Sequence, residues 1–95
     1  MREDFVEVYK DFLDKYGMWS QCMQCIEEMS ELTKELCKLN RYKDVLDKAD
    51  MMVAIREEIA DVLNMVEQLQ YIFGAEEIDN IRLQKINNSK KLYLD

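Results

Sequence analysis

The chain predicts an all-α domain, and three observations carry that reading. Proline is absent and only two glycines occur, so turns are few and helices run long. Apolar residues recur at three- and four-residue spacing, and no stretch alternates as a strand would. Hydrophobic residues make up 48% and charged residues 35%, which is the balance of a folded chain rather than a disordered one. At 95 residues it forms one domain, 1–95, whose own core is small enough that association with further copies is expected to supplement it.

Four helical stretches follow in order. The first spans about Glu3 to Tyr16, with Phe5, Val8, Tyr9, Phe12 and Leu13 on one face, and Gly17 ends it. The second starts near Ser20, a residue type that caps helix N-termini, and reaches about Asn40. The polar stretch "NRYKDVLDKAD" is expected to connect it to a third helix, from about Asp50 to Phe73, which Gly74 stops. A fourth begins near Ala75, runs to about Leu92 and turns polar at "NNSKK". The architecture expected is a small helical bundle, one piece of a larger oligomeric one.

Charge and composition exclude several functions. A net charge of −7 and a pI near 4.6 argue against a nucleic-acid surface, which needs clustered Lys and Arg. The longest apolar runs, such as Met51–Ile55, cover about five residues, against the roughly 20 of a membrane span. "MREDFVEVYK" has no apolar signal core. Three cysteines without an export signal suit a reducing cytoplasm. Histidine is absent, which removes the commonest general base and every His-containing metal motif.

In "QCMQCIEEMSELTKEL", Cys22 and Cys25 form a C-x-x-C, but no βαβ setting surrounds it and, with Cys37, only three thiolates exist for a metal. At 100° per residue Cys22, Cys25, Ile26, Met29, Leu32, Leu36 and Leu39 share an arc of about 140°, so the cysteines read as core. Gln24, Glu28, Glu31 and Glu35 form a stripe about 60° wide beside that arc. Taken alone, the stripe is a solvated face near Lys34 and Lys38. The third stretch changes this, because Glu58 lies among Ile55, Ile59, Val62 and Met65, on the face that packs, with Asp61 one turn on at its rim. A buried, unpaired carboxylate is costly and ends up protonated or neutralised by a partner. Two helices thus each offer an acidic i, i+3 pair, Glu28/Glu31 and Glu58/Asp61, and facing pairs would form a four-carboxylate cluster. Hard oxygen ligands suit Mg²⁺ or Mn²⁺; the helical di-iron alternative uses Glu-x-x-His, which this chain lacks.

Glu27-Glu28-x-x-Glu31, then 26 residues, then Glu58-x-x-Asp61, resembles the E-E-x-x-E…E-x-x-D signature of the MazG-like, all-α nucleoside triphosphate pyrophosphohydrolases. The likeness extends through "CIEEMSELTKELCK" and "REEIADVLNMVEQL" and covers roughly Trp19 to Tyr93. It implies a four-to-five-helix bundle of that type, completed by oligomerisation as a homodimer or homotetramer. It also implies a hydrolase acting on an acid anhydride, one that splits an NTP or dNTP between the α- and β-phosphates into monophosphate and pyrophosphate. Glu28, Glu31, Glu58 and Asp61 would then hold Mg²⁺, with Mn²⁺ as a substitute. Glu27, and Glu28 itself, would serve catalysis, Glu27 as an outer acid or by orienting the attacking water. For the outer phosphates the resemblance suggests Lys38 and Lys85, with Lys90 or Lys91 as companion. Relatives often carry an arginine or a K…N…R pattern where this chain has Asn88 followed by two lysines. For base and sugar it points to Trp19, Gln21, Gln24, Asn64 and Asn88, with Trp19 either stacking on the base or capping the core. Two rivals stand beside this reading: a phosphoribosyl-ATP pyrophosphohydrolase of the same superfamily, and a non-catalytic helical dimerisation or regulatory module.

Overall fold

The computed structural model of the chain describes residues 1–44 and 48–94. It is all-helical, with no strand among the described residues. A single 3₁₀ turn at Glu3–Phe5 leads into α1 (Val6–Arg41); α2 (Ala49–Phe73) and α3 (Ala75–Tyr93) follow. Gly17 sits at φ 83° and ψ 163°, a region only glycine occupies freely, so α1 bends there into two arms, 6–16 and 18–41. The break expected at Gly17 is therefore present, but helix resumes at once. Ser20 lies inside the second arm rather than capping it, because the glycine itself makes the corner. Gly74, at φ 110°, turns the chain between α2 and α3, where its N–H donates to the Gln70 carbonyl. Of the connection expected over 40–50, residues 42–44 form a turn and 45–47 lie outside the described residues. Among the described residues no helix is long and apolar enough to cross a membrane.

The core is the seam between α1 and α2, where Tyr9, Cys25, Ile55 and Met65 are buried. Cys25 is 1% exposed, as a small hydrophobe would be, Cys22 is half-buried, and Cys37 is exposed. The arm 18–41 is turned roughly 60° from the orientation its apolar arc predicts. Gln21, Cys25, Glu28, Leu32, Glu35 and Leu39 face inward or half-inward, whereas Ile26, Met29 and Leu36 are exposed. That rotation brings the edge of the acidic stripe toward α2 and leaves an apolar strip uncovered. On α2 the inward face centres on Glu58, flanked by Ile55, Val62 and Met65, and Ile59 is exposed.

The first arm is fastened to α2 by Glu67. Its carboxylate accepts from the Tyr9 hydroxyl and, at 2.8 Å, from the Arg2 backbone N–H. Phe5 meets Tyr9 edge-to-face at 6.1 Å, and the Arg2 guanidinium lies 4.4 Å above the Phe5 ring. Burial, reinforced by the hydrogen bond to Glu67 and its charge, holds the Tyr9 phenol well above its usual pKa, so it stays a neutral donor. At the other end Gln70 donates to Asp79 at 3.3 Å and links α2 to α3.

Candidate metal centre and adjoining cavity

Glu58 and Asp61 stand one turn apart on α2, and Glu28 comes across the seam from α1. Each of the three offers a carboxylate oxygen, and these oxygens all lie within 4.8 Å of one another. The rotation of α1 explains which members of the stripe arrive. Glu28 lies at the stripe's inner edge and is half-buried, while Glu31 lies at its outer edge and is exposed. The expected quartet is thus observed as a trio, with Glu31 outside it, close enough only for its charge to act on Glu58.

No basic side chain pairs with the trio among the described residues. Gln24 donates to Glu28 at 3.0 Å, the i, i+4 contact of one helix face. The Oε2 atom of Glu58 is buried and accepts no hydrogen bond from the described residues. Loss of water around it, then the charges of Asp61, Glu28, Glu31 and Glu35, push its carboxyl above the ordinary carboxylate range. An oxygen shut away from water among like charges requires a proton or a cation. Three hard carboxylate oxygens converging from two rigid helices, with open solvent on the Asp61 side, fit an oxygen-seeking divalent ion that keeps waters or phosphate oxygens in its remaining positions.

Beside the trio lies an open cavity of about 400 Å³, with Glu28, Asp61 and Asn64 on its rim. Its walls are Phe5 of the 3₁₀ turn, Tyr9 and Phe12 of the first arm and Met65 of α2, with Gln68 between them. A second cavity of about 370 Å³ shares Phe12, Met65 and Gln68 and is lined further on by Gln21 and Gln24. Three of the residues expected to meet base or sugar, Gln21, Gln24 and Asn64, therefore line these spaces. The other two do not. Trp19 is 78% exposed, which removes the option of capping the core within one chain, and Asn88 is exposed on α3.

The expected phosphate ligands are dispersed. Lys38 is half-buried and pairs with Glu35 at 3.4 Å. Lys85 lines a separate cavity of about 590 Å³ with Arg82 and Ser89, and Lys90 and Lys91 are exposed on the last turn of α3. Glu27 is exposed, next to Glu28 in sequence and outside the trio.

Phe5, Tyr9 and Phe12, whose helical spacing predicts a packing face, line the cavity instead, and that spacing alone carries no sign of a cavity. Gln68 carried a usable signal: Asp61, Asn64 and Gln68 follow i, i+3, i+7 spacing and so form one polar edge of α2. Compared with known proteins, the chain matches no family model, no curated protein and no solved structure.

Proposed function

We propose that the chain is a Mg²⁺-dependent nucleoside triphosphate pyrophosphohydrolase, built as the MazG-like all-α enzymes that its E-E-x-x-E…E-x-x-D pattern resembles. The observation that carries this reading is the carboxylate trio, Glu28, Glu58 and Asp61, with the buried, unpartnered oxygen of Glu58 at its centre. Those three residues would hold the ion, and Glu31 adds negative charge at the rim. Mg²⁺ bound there, with Mn²⁺ as a substitute, supplies charge neutralisation at phosphoryl oxygens and a more acidic bound water. Glu27, exposed and adjacent in sequence to Glu28, is assigned by the resemblance to accept the proton of the attacking water. Water adds to the α-phosphorus, the bond to the α,β-bridging oxygen breaks, and monophosphate and pyrophosphate leave. Lys38, Lys85 and Lys91 are the basic residues available to the leaving phosphates, and the dispersal of the last two along α3 suits contributions to a site completed by another copy.

Self-association belongs to the same proposal. Ile26, Met29 and Leu36 on α1, with Ile59, Leu63 and Val66 on α2, are large apolar residues left exposed. These exposed apolar residues suit an interface, and a second copy would complete the bundle as a homodimer or a homotetramer. The three free thiols suit a reducing cytoplasm.

The test is pyrophosphate release from the common NTPs and dNTPs and from oxidised and deaminated analogues, with and without Mg²⁺, beside Glu58→Gln. Metal-dependent release of pyrophosphate and the matching monophosphate is expected, reduced by about a hundredfold or more in the variant. Silence across the panel, with melting indifferent to Mg²⁺, would mark the fold as a non-catalytic association module.

A further inference from the structure

Gln68 is a buried polar residue with its chemistry unused. It is 7% exposed, and its Oε1 atom is buried without any hydrogen-bond partner. Among the described residues its one bond is a weak one, from Nε2 to the Met65 sulfur at 3.6 Å. Leaving an amide oxygen unsatisfied in a protein interior is destabilising, so packing alone does not account for glutamine at this position. The residue also forms part of the wall between the two cavities, where Phe12 and Met65 flank it in both.

The larger of these cavities has the features of a site for a flat ring. Its volume of about 400 Å³ lies in the range of small-molecule pockets. Phe5, Tyr9 and Phe12 line one side as a helical row at i, i+4 and i+7, and Met65 adds a polarisable thioether. The Tyr9 hydroxyl is committed to Glu67, so it offers its ring rather than its oxygen. Polar groups stand in only two places: Gln68 in the wall, and the rim of Glu28, Asp61 and Asn64. The cavity is therefore mostly apolar, with an amide in its wall and two carboxylates of the trio, Glu28 and Asp61, at one edge.

We propose that this cavity takes the nucleobase of the substrate, and that Gln68 selects it by accepting a hydrogen bond from an N–H on the ring edge. The inference rests on the nucleotide reading above for the identity of the ring. Rotation about the last side-chain bond of Gln68, a broad two-fold torsion, turns the carboxamide toward the ring at the loss of only the sulfur contact. A ring presenting a ring N–H or an exocyclic amino group satisfies the orphaned oxygen. A ring without a donor leaves it buried and unpaired, which is how a polar pocket rejects an isostere. Asn64, on the rim one turn from Gln68, is placed for the sugar.

Binding rather than turnover tests this. Nucleoside 5′-monophosphates of the five common bases are titrated calorimetrically into the intact protein with Mg²⁺ present. For the base that binds best, the titration is repeated with the analogue whose edge donor is blocked by N-methylation. Both ligands are then titrated into Gln68→Leu. In the parent protein, blocking the donor is expected to weaken binding about tenfold, and in Gln68→Leu the two ligands are expected to bind alike. Gln68→Leu is also expected to melt higher than the parent without ligand, because it removes an unsatisfied buried amide at similar volume. A structural role for Gln68 predicts the opposite shift. The proposal is overturned if no monophosphate binds, if the blocked ligand binds the parent equally well, or if the difference survives in Gln68→Leu. Pyrophosphate release that depends on Glu58 alongside any of these results would remove the base site and leave the hydrolase standing.

Discussion

Along the seam between the second arm of α1 and α2, side chains from both helices are buried together, whereas along α3 no residue is buried and every position from 79 to 94 is exposed. The two regions have similar raw material. α2 carries Ile55, Val62 and Met65 at helical spacing, and α3 carries Ile78, Ile81 and Ile86. What differs is the presence of a surface to close upon. The first arm of α1 folds back across α2 from the Gly17 corner and is fastened by Glu67, while α3 is linked through Gln70 and Asp79 and then runs on its own. The radius of gyration, 16.4 Å, shows the consequence, since a compact chain of this length has about 12 Å. The candidate site lies wholly on the side that closes. One chain is thus sufficient to assemble the carboxylate trio and the aromatic cavity, and insufficient to cover α3.

The sharpest way to break that contrast is a pair of truncations. Ile55→Ala, in the seam, is expected to lose about 2–5 kcal/mol in urea denaturation. Ile86→Ser, on α3, is expected to change the stability of a single chain by no more than about 0.5 kcal/mol, and to lower the sedimenting mass at concentrations where copies associate. Equal losses at high dilution would mean that α3 packs within its own chain.

A smaller effect separates the two arms of α1. A methyl group at Gly17 meets nothing within 4 Å, so the whole cost of Gly17→Ala lies in its positive φ, about 1–3 kcal/mol by the same measurement. A neutral result would show that the corner is set by Glu67 and not by the glycine.

The least effect is electrostatic and reads the seam through pH. Glu58 titrates above the ordinary carboxylate range in the folded chain, so the fold holds that proton longer than the unfolded chain does. Its contribution to stability is fully present below the ordinary carboxylate pKa and is lost as pH rises through the raised value. Without divalent cations, the parent protein should therefore lose melting temperature relative to Glu58→Gln over that interval, and Mg²⁺ should restore it to the parent alone. Parallel melting curves at every pH would mean that the trio relaxes apart in solution.

The helices themselves were legible from spacing and from two glycines, because in a chain without proline little else interrupts a 3.6-residue repeat. Glu58 was legible as the anomalous acid, since helical angle alone puts it among apolar neighbours. Glu28 was distinguishable from Glu31 only in three dimensions. Both belong to one stripe, and the roughly 60° rotation of α1 that admits the first and excludes the second comes from packing against α2. The apolar arc misled for the same reason: Ile26, Met29 and Leu36 are as hydrophobic as a core requires, and they stay exposed among the described residues.

By itself, then, the sequence determined an acidic, all-helical chain, the Gly17 and Gly74 corners, and the inward placement of Glu58, because each follows from local geometry and helical period. Only the tertiary structure decided which carboxylates meet, that aromatic residues of the first arm and Gln68 of α2 enclose a cavity beside them, and that α3 remains uncovered. Those are relations between helices. They depend on rotation about helix axes and on which faces find partners, quantities that a repeat along one helix does not encode.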